Sequence, residues 1–290
     1  MSQKYSPTKK DLSGAPDALS VRAHAQRASD GRRGGEAAAL RLEKRTYINT
    51  YTGAKNRITL RNFENGLVEV GWAFVGFVQS TKAARGTSDQ RTQNEDRAVR
   101  RAKSRLRHLV LSANLTHLLT LTYRDNVTDF KQAADDLRRF VRKVKVHLPG
   151  WLYVAVAEQQ ERGAWHWHLA VRGWQDVVLM RTVWREIVGE GNIDVSAPKG
   201  NRKDQRLYLV QYLGKYLVKE FATGDRKLNK HRLRSSRNIQ VPMECFTLPL
   251  SSDRKVGDIA LDKLKEASGG SVGFVWDGEG ILAGWACSWK

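Results

Sequence analysis

The chain has 290 residues, of which 41% are hydrophobic and 28% are charged, enough for one substantial core with appendages or for two modest domains. Lysine and arginine outnumber aspartate and glutamate by 50 to 30, a formal net charge of +20, so the expected partners are polyanions such as DNA or RNA, with an anionic membrane as the alternative. Two cysteines are too few for a disulfide framework or a four-cysteine zinc site. The chain shows no signal-peptide core and no apolar run of membrane-spanning length, which predicts a cytoplasmic protein that does not enter a membrane.

The first third of the sequence contains a tail, a hairpin and a basic helix. Residues 1–45 are rich in Gly, Ala, Ser and Arg and are predicted to form a disordered basic tail. Within residues 46–96, two alternating segments flank the turn sequence ENG, which predicts a small β-hairpin followed by a linker. The helix that follows carries six positive charges and no negative one between residues 97 and 107. A run of charge usually indicates a solvated helix face, but with no acidic residues interspersed, contact with phosphates is at least as well supported. The predicted DNA contacts on this helix are Arg97, Arg100, Arg101, Lys103, Arg105 and Arg107.

Residues 97–222 alternate between predicted strands and helices. Strands are expected at HLLTLTY, WLYVAVAE and WHWHLAV, and helices at residues 128–148, near DVVLMRTVWREIVG and at DQRLYLVQYLGKYLVKEF, with GNIDVSAP a strand or a loop. The second and third strands are separated only by a turn and must form an antiparallel hairpin. This order predicts an α+β domain with an antiparallel sheet and flanking helices.

The remaining residues, 223–290, form a basic segment followed by a small β-rich C-terminal region. The predicted DNA contacts in the basic segment are Arg226, Lys227, Lys230, Arg232 and Arg234.

The segment RGAWHWHLAV places two histidines one residue apart in a predicted strand. Alternation sends His166 and His168 to one face and Trp167 to the other. With a three-residue turn at residues 161–163, Glu158 lies opposite His166 on the histidine face, whereas a register shift of one residue turns it away. Two imidazoles and a carboxylate on one face suit a divalent metal, and a pair of structural histidines is the alternative.

The last helix of this region carries Tyr208, Tyr212 and Tyr216 four residues apart on one face, which Lys219 also joins. A tyrosine hydroxyl can attack a phosphodiester if a divalent metal polarises the phosphate and a lysine such as Lys215 or Lys219 stabilises the developing charge. The bond energy is conserved in a phosphotyrosine, so no nucleotide cofactor is expected, and no phosphate-loop motif is present. Surface aromatics or a half-covered helix face are the alternative. The predicted core stripe, roughly opposite the tyrosines, is Leu207, Val210, Leu213, Leu217 and Phe221.

These motifs together resemble the HUH endonucleases (His-hydrophobic-His) that initiate rolling-circle replication. LTLTY at 119–123 is similar to their first strand motif, HWH at 166–168 to the motif that names them, and YLGKYLVK at 212–219 to the two-tyrosine motif of initiators from single-stranded DNA phages and related bacterial mobile elements. The resemblance covers about residues 97–222. Trp167 is bulkier than the usual middle residue but faces away from the metal.

The resemblance implies a site and a reaction. Glu158, His166 and His168 would hold magnesium or manganese, Tyr212 and Tyr216 would be the nucleophiles, and Lys215 and Lys219 would support them. One tyrosine would nick single-stranded origin DNA, keep the 5′ phosphate and free a 3′ hydroxyl, and the second could close the circle. The absence of a helicase motif implies that a host helicase and a host polymerase act with the protein.

Two alternatives remain at this stage. A transposase or a plasmid-mobilising relaxase uses the same chemistry, although single-tyrosine transposases usually lack the paired motif and relaxases more often place their tyrosines near the N-terminus. A non-catalytic DNA- or RNA-binding protein with a structural metal would be expected to have lost the carboxylate or damaged the tyrosine motif, and both are intact here.

Overall fold

A computed structural model describes residues 55–76, 90–197, 204–222, 233–250, 255–278 and 283–289. The predicted tail at 1–45 lies outside these residues, as do Arg226, Lys227, Lys230 and Arg232. The described residues form two five-stranded antiparallel sheets and five α-helices, which confirms the predicted α+β class. None of the helices in these ranges has the length and apolar character needed to cross a membrane.

Ten strands and five α-helices follow one another along the described chain. The first half comprises β1 (Lys55–Asn62), β2 (Val68–Val75), α1 (Arg91–Ser112), β3 (His117–Tyr123), α2 (Phe130–His147), β4 (Tyr153–Gln159) and β5 (Trp165–Val171). The second half comprises α3 (Val177–Val188), β6 (Gly191–Ser196), α4 (Gln205–Ala222), β7 (Leu233–Ser235), β8 (Glu244–Leu248), α5 (Val256–Ser268), β9 (Phe274–Asp277) and β10 (Ala283–Cys287).

One sheet, here called the terminal sheet, has the strand order β8-β1-β2-β10-β9. The predicted hairpin is confirmed: β1 and β2 pair around a short 3-10 turn at Glu64–Gly66. Strands from the C-terminal region flank this hairpin on both sides, so the regions 46–96 and 223–290 contribute to one sheet. Helix α5, which the hydrophobic pattern had not indicated, covers one face of this sheet with the buried residues Ala260 and Leu264.

The other sheet, here called the histidine sheet, has the order β6-β3-β5-β4-β7. The GNIDVSAP segment forms its edge strand β6 rather than a loop. Helices α2 and α3 pack on one face around Phe140, Trp167 and Trp184, and helices α1 and α4 pack on the other. Both faces are covered, which explains why every residue of β5 is buried.

Aspartates define where two of the covering helices begin. The Asp129 carboxylate accepts hydrogen bonds from the backbone N–H groups of Lys131 and Gln132 at the start of α2. The Asp176 carboxylate does the same for α3, where it accepts from Val178 and Leu179. These side chains satisfy backbone donors that have no partner within the helix, so each cap fixes the helix start.

Helix α1 connects the two sheets. Its inner residues pack against α4, and near its C-terminal end Arg107 and His108 both contact the carboxylate of Glu69 on β2. Glu69 is 1% exposed. The Arg107 guanidinium also lies 4.8 Å from the centre of the Trp285 ring on β10. A buried carboxylate with cationic partners therefore anchors the terminal sheet to the helix that supports α4.

Candidate functional site

The hairpin of β4 and β5 has the register that the sequence predicted. Glu158 lies opposite His166, and the turn occupies residues 161–163. The Gln160 N–H donates to Ala164 O at 2.8 Å and closes the turn. Gly163 has a φ of +87°, a conformation that a residue with a Cβ rarely adopts. The turn length therefore determines which face of the sheet receives the carboxylate.

Strand alternation separates the tryptophans from the histidines, as predicted. Trp165 and Trp167 are fully buried among the side chains of the α2 and α3 face. Their indole N–H groups donate to Thr128 O at 2.9 Å and to Ala133 O at 3.0 Å. Trp167 is thus a core residue whose polar atom has a partner, and its size does not affect the histidine face.

His168 is held from two sides. Its Nε2 lies 2.8 Å from Glu158 Oε2, and its Nδ1 lies 3.3 Å from the Thr120 hydroxyl. The ionised carboxylate can only accept, so Nε2 carries a proton in this contact, and a neutral ring then accepts from Thr120 at Nδ1. If Nε2 instead binds a metal, Nδ1 carries the proton and Thr120 accepts it. The hydroxyl can hold the ring in either state.

His166 is buried next to this pair, and its ring centre lies 6.5 Å from that of His168. Burial lowers the pKa of His166, and the neighbouring His168 and Arg162 add to this shift while Glu158 opposes it. Its Nε2 is buried without a hydrogen-bond partner among the described residues. A neutral imidazole with an unused nitrogen is in the form that binds a metal.

The three predicted ligands fit a divalent metal by their chemistry. One carboxylate and two imidazoles share the face, and His166 and Glu158 line an open depression of about 570 Å³ together with Thr122 and Arg162. As the side chains stand, however, the described residues contain no group of three His, Cys, Asp or Glu side chains placed to hold a metal ion. The hydrogen bond between His168 Nε2 and Glu158 Oε2 occupies two atoms that would otherwise be metal ligands. Metal binding therefore requires these side chains to reorient.

Helix α4 brings the tyrosines against the histidine face. The Tyr216 ring stacks on the His168 ring, with centres 4.4 Å apart and planes 9° apart. The Tyr212 ring meets His168 edge-on at 5.9 Å and Tyr216 at 5.2 Å. Tyr208 stacks on Tyr212 at 6.1 Å, one turn further from the histidines. The two tyrosines of the motif therefore both contact the predicted metal ligand.

The predicted core stripe of α4 was partly wrong. The buried leucines of α4 are Leu209, Leu213 and Leu217. Of the other predicted residues, Leu207 and Val210 are only half-buried, and the side chain of Phe221 is not among those that the structure describes. At about 100° per residue this stripe borders the tyrosines instead of opposing them. The reason is that α4 packs against both α1 and the sheet, so a wider arc of the helix is covered than one core face requires.

The tyrosines and lysines of the motif differ in their surroundings. Burial raises the pKa of the Tyr216 phenol well above its ordinary value, and a hydrogen bond with Tyr212 and the negative charge of Glu158 add to the shift. Tyr216 is therefore protonated at neutral pH in this arrangement. Lys215 is exposed on α4, and the side chain of Lys219 lies outside the described part of the chain.

The basic residues of α1 fall into two groups. Arg107 is half-buried and its charge is engaged by Glu69. The other five are exposed along the helix, and they are Arg97, Arg100, Arg101, Lys103 and Arg105. Arg234 lies on β7, at the edge of the histidine sheet next to β4. Of the predicted DNA contacts that the structure describes, none lines the depression that contains His166 and Glu158.

Two residues of the site were missed by the sequence analysis. Thr120 lies directly opposite His168 on β3, and Thr122 lies opposite His166. The alternation within LTLTY placed both threonines on one face of β3, and this pattern could have indicated them. Only the strand pairing shows that this is the face that carries the histidines.

Part of the chain resembles a known family. Residues 116–221 match the replication-associated protein ORF2 family. The matched segment begins just before β3 and ends in the last turn of α4, so it encloses the histidine hairpin, Glu158 and all three tyrosines. No curated protein and no solved structure matches the chain. The family match associates the chain with DNA replication and makes DNA its expected partner.

Proposed function

We propose that the protein is a replication initiator that nicks single-stranded origin DNA with a tyrosine nucleophile. The observation that carries the proposal is the stacking of Tyr216 on His168, which itself contacts Glu158. A tyrosine that merely covered a core would not need a histidine and a carboxylate beneath it. The family match over the same residues supports the link to replication.

The proposed reaction transfers one phosphodiester linkage. The oxygen of a tyrosine attacks the phosphorus, the bond between phosphorus and the 3′ oxygen breaks, and a 5′-phosphotyrosine forms. The phenolic proton leaves the nucleophile, and the departing 3′ oxygen takes up a proton to become a hydroxyl. The same hydroxyl, or that of another strand, can attack the phosphotyrosine and restore a phosphodiester, so no nucleotide cofactor is consumed. The 3′ hydroxyl can prime a host polymerase.

A divalent metal such as magnesium or manganese, held by His166, His168 and Glu158, would polarise the scissile phosphate and neutralise its developing charge. The protein's own residues have the remaining tasks. Thr120 orients the His168 ring, and Lys215 and Lys219 are proposed to stabilise the phenolate or the phosphate oxygens. Burial, the hydrogen bond with Tyr212 and the charge of Glu158 raise the pKa of Tyr216, so its phenolic proton must pass to an acceptor as the oxygen attacks.

Tyr212 and Tyr216 are proposed to act as a pair, one in the first nick and the other at the end of the round. The contact of both rings with His168 supports this pairing, because it places the two tyrosines next to the same proposed metal ligand. Unwinding is assigned to a host helicase. A transposase or relaxase of the same chemistry is disfavoured by the family match. A non-catalytic binding protein would instead use the Glu158–His168 contact as a structural ion pair.

A covalent-adduct assay tests the proposal. The protein is incubated with single-stranded DNA from its own replicon, with manganese or with chelator, and analysed on denaturing gels. Five variants are compared with wild type: Tyr212→Phe, Tyr216→Phe, both together, His166→Ala and Tyr208→Phe. The last is the matched control, since Tyr208 lies on the same helix face outside the motif. We expect a metal-dependent protein–DNA band that survives Tyr208→Phe and disappears in the double variant and in His166→Ala.

Each single phenylalanine variant identifies the role of its tyrosine. Loss of the band in one variant names the residue that makes the first nick, and retention in both shows that the two hydroxyls are interchangeable. If wild type forms no adduct on any strand of the replicon while it still binds DNA, the nuclease proposal fails and the binding-protein alternative replaces it.

A further inference from the structure

A second feature of the histidine sheet is a cationic groove of about 990 Å³ at its outer edge, where β7 is the last strand. Helix α1 and helix α2 form its walls, and β7 with the residues that follow it forms its floor. Among the described residues, five cationic side chains line the groove and no acidic one does. They are Arg105, Arg138, Lys145, Arg234 and Arg237. Nothing in the HWH or tyrosine motifs accounts for this concentration of charge.

Within the described part of the chain, most of these charges have no carboxylate partner. Arg138 is paired with Asp135 at 3.2 Å on the exposed side of α2. Among the described residues no carboxylate forms an ion pair with the other four cations. Like charges around one groove repel one another, and a bound anion would relieve this repulsion. Arg234 also packs near Trp167, with its guanidinium 5.9 Å from the centre of that ring. Three separate elements contribute these cations, so this is not one solvated helix face.

The floor of the groove is fixed by hydrogen bonds. Ser236 is 3% exposed, and its N–H donates to Tyr153 O at 3.0 Å. The Tyr153 N–H donates in return to the Ser236 hydroxyl at 3.1 Å. Arg234 and Arg237 lie on either side of this buried serine, so their backbone positions are set by β4. A preformed cationic surface binds an anion at a lower entropic cost than flexible side chains would.

We propose that this groove binds the sugar–phosphate backbone of the single-stranded DNA that flanks the nick. Arginine and lysine around an edge strand contact phosphates and carry no sequence information. β7 pairs with Val154–Val156 on β4, and Glu158 lies two residues further along the same strand. Arg234 contacts Trp167 on the face that α2 covers, whereas Arg105 on α1 lies on the histidine side, so the groove wraps around the β7 edge of the sheet. At about 3.3 Å per residue and 4.8 Å between strands, the groove lies on the order of 10 Å from the histidine pair.

The inference rests on the proposed nicking function for the identity of the DNA, but the groove is tested by binding alone. A strand whose phosphate lies over the histidine face reaches the groove by continuing across β4 and around the β7 edge of the sheet. The groove would hold the strand after cleavage, when only the phosphotyrosine and such contacts keep the ends together.

The test measures DNA affinity in protein that cannot cleave. In a Tyr212→Phe, Tyr216→Phe background, Lys145→Gln and Arg237→Gln are made singly and then combined in one groove variant, because Lys145 lies on the α2 wall and Arg237 on the floor of the groove. The matched control for Lys145→Gln is Lys143→Gln, which removes one charge from the same helix α2 but outside the groove, where Lys143 pairs with Glu186. Fluorescence anisotropy with a long single-stranded oligonucleotide and with a duplex is recorded over a range of salt concentrations.

We expect the groove variant to bind the single strand roughly tenfold more weakly, with the slope of log affinity against log salt reduced by about 1.4, since each lost phosphate contact removes about 0.7. Lys143→Gln should match the parent protein, and Lys145→Arg should restore affinity where Lys145→Gln lowers it. Equal affinity and slope in the groove and control variants would overturn the proposal. An equal loss for duplex DNA would overturn the assignment to a single strand. A failure of the nicking proposal appears separately, as the absence of adduct in wild type.

Discussion

Replacing Glu69 with glutamine removes the charge that anchors helix α1 to the terminal sheet. The carboxylate is 1% exposed. Both Arg107 nitrogens Nε and Nη2 lie 2.9 Å from its Oε2, His108 contacts Oε1, and Arg61 lies 3.6 Å from Oε1. Burial alone raises the pKa of Glu69, but the His108 hydrogen bond and the charges of Arg107, His108 and Arg61 outweigh it, so the net pKa is lowered.

The size of the effect follows from this geometry. Removing one partner of a buried ion pair costs about 3–5 kcal/mol. The cationic partners keep side-chain exposures of 16–20%, which allows water to screen part of the remaining charge, so we expect the low end, about 3 kcal/mol. At roughly 2–4 °C per kcal/mol for chains of this size, Tm should fall by about 6–12 °C.

The assay is thermal unfolding at pH 7, with Glu95→Gln as the control. Glu95 forms an exposed i,i+4 pair with Arg91 at 3.1 Å on the same helix, and its loss should cost about 0.3–0.5 kcal/mol. If the Tm of the Glu69→Gln protein lies within about 2 °C of the control, the buried anchor contributes little and the reasoning is wrong.

The same variant has a defined pH dependence. A carboxyl with a lowered folded pKa contributes stability that is present above its unfolded pKa and is lost as the pH falls through the folded pKa. The Tm difference between wild type and Glu69→Gln should therefore be full at pH 7 and should shrink below about pH 4. A difference that stays constant down to pH 3 would show that the charge of Glu69 is not what the variant removes.

Two further predictions concern packing beneath the two sheets. Gly284→Ala would place a methyl group 2.0 Å from the Trp72 ring, so this variant should unfold at a distinctly lower temperature than wild type. Gly150→Ala is the control, because no atom lies within 4 Å of the added methyl group there. Equal unfolding temperatures of the two variants would contradict the packing argument. Trp167→Ala should lower the free energy of unfolding by about 3–5 kcal/mol, because it empties a fully buried site and removes the indole N–H that donates to Ala133 O. A loss below about 1 kcal/mol in urea titration would show that this position is not core.

Local patterns determined the elements that carry the candidate site. Side chains of a strand alternate between its two faces, so His166 and His168 share one face in any sheet. A three-residue turn then places Glu158 opposite His166. The spacing of Tyr212 and Tyr216 likewise holds in any helix. These features depend on neighbours within a few residues, and for that reason they could be predicted from the sequence.

The tertiary structure decided what those faces meet. Nothing local indicates that the β1–β2 hairpin pairs with strands from 184 residues (Leu60 to Glu244) to 218 residues (Glu69 to Cys287) later in the chain. Nor does any local pattern indicate that Arg107 leaves the exposed basic face to bind Glu69. The tyrosine face of α4 could be identified from spacing, but only packing against α1 and the sheet sets Tyr216 on His168.

The sequence by itself therefore determined the α+β class, the alternation of the histidine strand and the candidate nucleophiles, since periodicity and turn length are short-range properties. Only the tertiary structure decided the Thr120 contact, the single terminal sheet and the cationic groove, because each joins residues that are far apart in the chain and whose contact depends on how whole elements pack.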